Sequence, residues 1–250
     1  MGLADLHIHT THSDGMASVE AVLDYAEYHT ALDVIAIADH DQVRGALAAL
    51  DWVAARPSTR LEVVFGTEIS ASWGRHLLAY FFEPPFPTKP FPRHRSLGYT
   101  AALVHDYGGI VVIPHPLCRW TPSVGQRALT RLLAQAVPIA GIEACNASVA
   151  ARGLAPRIRR LNDEHWRLPE LGSSDAHHLA QIGSGLTEFP GSTPADLASA
   201  LRAGTVRARW GEAAAAVGVR DHARQAFRAL AVKPLRELKE VLTPARQRRG

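Results

Sequence analysis

The chain has 250 residues, 47% of them hydrophobic and 20% charged, a globular composition able to bury a sizeable core. Its formal charge of +3 comes mainly from scattered arginines and a basic end, "ARQRRG", with no basic stripe interleaved with aromatics; this argues against a stable nucleic-acid complex and leaves an anionic substrate compatible. No apolar run approaches membrane-spanning length, and Asp5 and His7 fall where a signal peptide would be apolar, so a cytoplasmic location without membrane association is expected.

In chain order, "LADLHIH" reads as a first strand. "SVEAVLDYAEYH" follows at helical period with Ser18 as N-cap. "DVIAIAD" is a continuous apolar run of the kind a buried parallel strand needs, and "VRGALAALDWVAA" is a second helix ended by Pro57. "LEVVFGTEIS" and "RHLLAYFF" are strands joined by a short turn through Trp73-Gly74. A Pro-rich loop, "EPPFPTKPFP", leads into a helix from about Arg93 to Tyr107. "GIVVIPHP", "IAGIEACN" and "LPELGSSDAH" are the fifth to seventh strands, and "TPADLASALRAG" is a further helix. Strands alternating with helices imply a parallel α/β arrangement. No Gly-rich loop follows the first strand, as a dinucleotide-binding sheet would need, and polar residues gather where strands end, as in a barrel. The fold class expected is α/β, a distorted (β/α)7 barrel in a single domain. Residues 1–205 are expected to form the barrel and residues 206–250 to add peripheral C-terminal helices, from "DHARQAFRALA" and "PLRELKEVL", and a basic tail.

Histidine is the unusual residue, at 13 copies. His7, His9 and Asp14 follow the first strand, His40 the second, Glu68 closes the third and His76 opens the fourth. His115 ends the fifth, Glu143 and Asn146 end the sixth, and Asp175 and His177 end the seventh. Each alone has an ordinary explanation as a cap, a turn or a satisfied polar group. His-X-His, however, sets two imidazoles on one face of a strand, and Asp-Ala-His does the same with a carboxylate and an imidazole. Brought together without cations, so many ionisable groups would repel or desolvate at great cost. Cys118 and Cys145 have no metal-motif spacing and read as ordinary thiols in a reducing compartment.

The set "DLHIHTTHSDG", "IADHD", "GTEIS", "GRHLL", "IPHP" and "GSSDAH" resembles the PHP (polymerase and histidinol phosphatase) superfamily of metal-dependent phosphoesterases, over residues 3 to about 190. The resemblance implies a seven-stranded distorted barrel and up to three divalent metal ions, for which Mn, Zn and Fe are all compatible. It implies that His7, His9, Glu68 and Asp175 hold one metal, that Glu68 bridges to a second completed by His76 and His115, and that Asp14, His40 and His177 hold the third. Asp5, Asp39 and Asp41 are candidates for fixing histidine tautomers, with turn or cap roles as the alternative.

The function expected is hydrolysis of a phosphate ester of a small metabolite or nucleotide by a metal-bridging hydroxide. A histidinol phosphate phosphatase and a noncatalytic metal-binding module are the alternatives. His177 is a candidate for assisting the leaving group, although as a ligand it would be a poor acid. Arg119 is a candidate catalytic and substrate-binding residue, with Arg93 and Arg95 as further phosphate contacts. The chain passes from "RHRSLGYTAALVHDYGG" directly into "IVVIPHP", without the helical insertion that longer nucleotide-acting relatives carry there. The mouth is therefore expected to be open, with Phe86, Phe91 and Trp120 as rim aromatics able to stack on a base or simply to pack locally.

Overall fold

In this computed structural model the structure describes residues 1–211, 218 and 225. The expected C-terminal helices and basic tail lie outside the described residues. Among the described residues nine strands form one sheet: β1 (Gly2–Ile8), β2 (Val34–Ile37), β3 (Glu62–Ser70), β4 (His76–Phe81), β5 (Ile110–Ile113), β6 (Gly141–Asn146), β7 (Glu170–Ser173), β8 (Gly185–Phe189) and β9 (Arg207–Trp210). Six α-helices among the described residues connect or flank them: α1 (Val19–His29), α2 (Arg44–Ala54), α3 (Leu97–Asp106), α4 (Gln126–Ala134), α5 (Ala155–Leu161) and α6 (Pro194–Ala203).

The strand order is β7-β6-β5-β4-β3-β2-β1-β8-β9. Ile8 also bridges in parallel to Ala176, just past β7, so the two ends of the seven-strand run meet and the sheet curls into a nearly closed barrel. All seven expected strands are present, and β8 and β9 add an antiparallel pair beside β1. The sheet therefore continues past residue 205.

The parallel pattern holds for β1-β2-β3 and for β5-β6-β7. β4 runs antiparallel to both neighbours, because only the short Ser72–Gly74 turn separates it from β3 and a parallel return needs a crossover of a dozen residues or more. That reversal matters for the site. It places the first residue of β4, His76, at the end of the barrel where β1, β2, β3, β5, β6 and β7 finish.

Local chemistry explains the helices. Ser18 caps α1 by accepting from the Ala21 N–H, and Val19, Val22, Leu23 and Ala26 bury one face at helical spacing. α6 begins with a capping box between Thr193 and Asp196, has Pro194 in its first turn, and stops at Gly204 in the left-handed conformation. α3 starts at Leu97, so Arg93 and Arg95 sit before the helix rather than in it.

The helices cover the sheet. α1 and α2 pack through Val22, Leu23, Ala49 and Trp52 on Ile8, Ile35 and Ile37. α3, α4 and α5 pack through Val104, Leu129 and Ile158 on Phe65, Phe81 and Ile113. The other sheet face carries Ala4, Leu6, Val34, Val64, Tyr80 and Val112, and α6 closes it with Leu197 and Leu201. Among the described residues no helix is long and apolar enough to cross a membrane.

Candidate metal centre

Five strand ends, those of β1, β2, β3, β5 and β7, and the start of β4 deliver all nine expected ligands to one mouth. His7, His9, Asp14, His40, Glu68, His76, His115 and Asp175 are buried, and His177 is nearly so. Glu68 is the hub. Its Oε2 lies 3.1 Å from His7 Nε2, 3.4 Å from His9 Nε2 and 3.1 Å from His40 Nδ1. Its Oε1 lies 2.8 Å from His76 Nδ1 and 3.1 Å from His115 Nε2. Asp175 Oδ1 is 3.6 Å from His7 Nε2 and 3.3 Å from His9 Nε2. Asp14 faces His177 Nε2 at 3.4 Å and His40 Nε2 at 3.8 Å.

Three groups have ligand atoms within 4.8 Å of one another: His7, His9 and Asp175; His9, Asp14, His40 and His177; and His40, Glu68 and His76. Three clusters accord with three ions, but the partition is looser than expected from the sequence. His9 reaches two groups and His40 reaches two, while His115 joins through Glu68 alone.

The residues fit divalent cations. Neither nitrogen of His9, nor Asp14 Oδ1, nor His76 Nδ1 has a hydrogen-bond partner, although each is buried. Leaving such atoms unpaired costs about 1–3 kcal/mol apiece. His9 Nε2 nevertheless sits 3.3–3.4 Å from two carboxylate oxygens, outside hydrogen-bond geometry. Two donors each about 2.1 Å from a shared ion are separated by roughly 3.0–3.4 Å at octahedral to tetrahedral angles. The spacing is that of co-ligands.

Charge says the same. Burial opposes ionisation of Glu68, Asp14 and Asp175, yet the facing imidazoles outweigh it and hold all three carboxyls below their ordinary range. Burial likewise opposes charge on His7, but Glu143, Asp175 and Glu68 raise it; Asp14 and Asp175 lift His177 to about 9. In the protein alone, protons on imidazole offset the carboxylates. A divalent cation would displace those protons and take over that role.

Backbone strain marks two of these positions. His115 (φ 29°) and Asp175 (φ 53°) both adopt positive φ without being glycine. Such conformations cost energy and persist where surrounding structure over-determines them.

The residue that orients the centre is Glu143, which the sequence reading noted at a strand end without a role. Its Oε1 accepts from His7 Nδ1 at 2.8 Å and from the Ser173 hydroxyl. Its Oε2 accepts from the His115 N–H and from Asn146 Nδ2, each at 2.8 Å. Burial raises its pKa, but His7 more than reverses that and keeps it ionised. A carboxylate there keeps a proton on Nδ1, so that an ion displacing the Nε2 proton would meet the freed lone pair on the side of Glu68 and Asp175.

The three aspartates expected to fix tautomers do other work. Asp39 accepts from Thr10 N at 2.7 Å, Thr10 Oγ1 at 2.6 Å and Ser13 Oγ at 2.5 Å, and so shapes the loop carrying Asp14. A Cβ on Gly45 would collide with Asp39 Oδ2, so only glycine leaves room for that carboxylate. Asp41 accepts from Ser70 N at 2.7 Å. Asp5 accepts from the backbone of Ser174 at 3.0 Å and Gly183 at 2.8 Å, and burial pushes its pKa up to about 6. Each holds backbone, because its side chain meets amides before it can reach a ring.

Of the rim residues, Phe86 stacks on Phe65 (5.5 Å, 3°) and Phe91 on Phe81 (6.0 Å, 18°), so both are packing residues rather than a base platform. Trp120 is 87% exposed. Arg119 and Arg95 are exposed and Arg93 is half-buried, all on loops bordering the centre.

Comparison with known proteins finds the same fold. Residues 161–206 match a family model described as PHP-associated. A two-domain protein from Bacteroides vulgatus, described as containing a predicted PHP-like metal-dependent phosphoesterase, superposes with a TM-score of 0.65 at 19% identity, over 91% of this chain and 69% of that one. The lesion-specific endonuclease PfuEndoQ from Pyrococcus furiosus superposes at 0.56 and 15% identity, over 83% and 57%. A 5'-3' exoribonuclease from Haemophilus influenzae is 35% identical over 86 residues, which are 33% of this chain and 30% of that enzyme. A nearly closed α/β barrel with imidazoles and carboxylates converging at one mouth defines a metal-site protein. In fold the chain is similar to a PHP-like metal-dependent phosphoesterase, and its residues 161–206 carry the PHP-associated match.

Proposed function

We propose that this chain is a metal-dependent phosphoesterase acting on a phosphorylated small molecule or nucleotide, with His7, His9, Asp14, His40, Glu68, His76, His115, Asp175 and His177 as metal ligands. The observation that carries the reading is Glu68: one buried carboxylate within 2.8–3.4 Å of five imidazoles, with co-ligand spacing on both oxygens. Divalent ions such as Mn, Zn or Fe, held there, would lower the pKa of bound water and offset charge building on the phosphoryl oxygens.

The protein's own groups prepare that chemistry. Glu143 fixes the His7 tautomer, and the Thr121 hydroxyl lies 3.4 Å from His115 Nδ1, on the ring edge away from Glu68. Asn146 Nδ2 donates to Glu143 at 2.8 Å and reaches Asp175 Oδ2 at 3.4 Å, tying two strand ends together. Arg119, four residues past His115, supplies a guanidinium able to bind a phosphate oxygen, with Arg93 and Arg95 further along the rim. The arginines disfavour histidinol phosphate, whose amine and imidazole call for an acidic rim. Free, buried Cys118 and Cys145 suit a reducing, cytoplasmic setting.

The test is metal analysis of purified protein followed by a phosphate-release screen over nucleoside mono- and bisphosphates, sugar phosphates, histidinol phosphate and generic nitrophenyl esters. Activity should require added divalent metal, and Glu68→Gln should reduce it at least ~100-fold. Wild-type turnover in that variant would refute the reading.

A further inference from the structure

The metal centre is flanked by two exposed tryptophans on adjoining loops. Trp73 lies three residues before His76 and is 89% exposed; Trp120 lies five residues after His115 and is 87% exposed. The His76 and His115 rings are 5.8 Å apart. The loops touch: a Cβ on Gly74 would stand 3.6 Å from Pro122, and Thr121, next to Trp120, reaches the His115 ring. Burying neither indole forgoes a large hydrophobic gain at both positions. Trp73 also adopts φ 63°, a conformation that is a genuine outlier for a bulky side chain and carries a backbone cost.

The same rim is rich in arginine, and the carboxylate that meets its backbone, Asp41, is buried beneath it on Ser70 N. Residues 93–95 are stitched to the Trp73 turn by the Ser72 N–H donating to Arg95 O and the His94 N–H donating to Ser70 O, each at 2.7 Å. This sets Arg75, Arg93 and Arg95 beside Trp73, with Arg119 beside Trp120. The contributing segments, 70–76, 92–96 and 117–124, contain no Asp or Glu. Four guanidiniums exceed what one phosphate at the metal centre needs, and two separated indoles exceed what one base needs.

We infer that this rim is a binding platform for a single-stranded polynucleotide, on which Trp73 and Trp120 stack bases while the arginines track backbone phosphates and one phosphoester enters the metal centre. Flat π-faces beside a cationic track are the chemistry that holds single strands without sequence preference. A sugar phosphate has no π-face to match two indoles, and an apolar ligand would not use the arginines. The inference rests on the phosphoesterase reading for the final step, but the binding itself does not.

Binding is measured by fluorescence anisotropy with a labelled, 5′-phosphorylated oligoadenylate octamer, as RNA and as DNA, and with an abasic octamer of equal length. Small-ester turnover is followed separately with p-nitrophenyl and bis(p-nitrophenyl) phosphate, which have no use for the platform. The octamer should bind, and more tightly than the abasic chain. Trp73→Ala and Trp120→Ala should each weaken it about 5- to 150-fold, as loss of one stacked base does, with Trp120→Phe restoring most of the loss. Log affinity should fall with log salt by about 0.7 per phosphate contacted, and Arg93→Ala/Arg95→Ala should flatten that slope. Tyr28→Ala, an exposed aromatic on α1, should leave binding as it is, and thermal unfolding confirms that each variant folds. Small-ester hydrolysis without octamer binding, equal affinity for octamer and abasic chain, or AMP binding as tightly as the octamer would each overturn the platform. Octamer binding with no hydrolysis of any ester would uphold the platform and sink the phosphoesterase reading.

Discussion

Replacing Glu143 with glutamine tests how the centre is held. The side chain keeps its shape, but one oxygen becomes an NH2 group. Four donors converge on the two oxygens: His7 Nδ1 and the Ser173 hydroxyl on one, the His115 N–H and Asn146 Nδ2 on the other. With the NH2 on the His115 side, the backbone N–H of His115 and Asn146 Nδ2 both meet a donor; on the His7 side the Ser173 hydroxyl can turn to accept, and the His7 proton alone opposes the amide. Hydrogen bonds to a charged acceptor are worth about 1.5–3 kcal/mol each, so losing one or two of them costs about 1.5–6 kcal/mol, a range that spans the ~3–5 kcal/mol for breaking a buried ion pair. If the amide faces His7, the ring loses what keeps its proton on Nδ1, and metal affinity should fall about 10- to 100-fold. Denaturant unfolding reads the first effect; metal titration, with the absorption spectrum of the cobalt-loaded protein, reads the second. A variant with unchanged stability and unchanged metal affinity would refute the assignment. Glu143→Asp keeps the charge and should recover part of the metal affinity, which a purely steric role would not allow.

Chelation should lower Tm, because ions bound only by the folded protein contribute about 2.7 kcal/mol at a hundredfold excess over Kd, and re-addition of metal should restore it. Arg60→Ala should cost about 1–2 kcal/mol by denaturant unfolding, since its guanidinium donates to the carbonyls of Thr30 (2.6 Å), Glu27 (2.8 Å), Ala26 (3.3 Å) and Leu32 at the end of α1, far from the metal centre. Gly45→Ala should displace Asp39 and with it the loop carrying Asp14; weaker metal binding and lower Tm together are the expected result, and a wild-type metal titration would exclude that route.

Much of this protein is legible in one dimension. Apolar runs and caps such as Ser18 and Thr193 are local, and they set the seven strands and the main helices because capping and periodicity act within a few residues. The candidate ligands were legible for a related reason: His-X-His, "ADHD", "IPHP" and "SSDAH" sit where strands end, and in a barrel those ends share one rim. β8 and β9 escaped because neither carries a continuous apolar run, "GLTEF" and "RARW" being mixed, and each pairs only in the assembled sheet.

What tertiary structure alone decided is which groups meet. Glu143 serves His7 across 136 residues, and nothing near it in the chain distinguishes it from Asp5, Asp39 or Asp41, whose carboxylates go to backbone instead. Phe86 and Phe91 resemble Trp120 in the sequence, yet two are packed and one is exposed. Trp73 read only as part of a turn until the hairpin set it beside the Trp120 loop. Local sequence specifies backbone preference over a few residues; the direction of a carboxylate or an indole is set by the neighbours that the closed sheet brings to it.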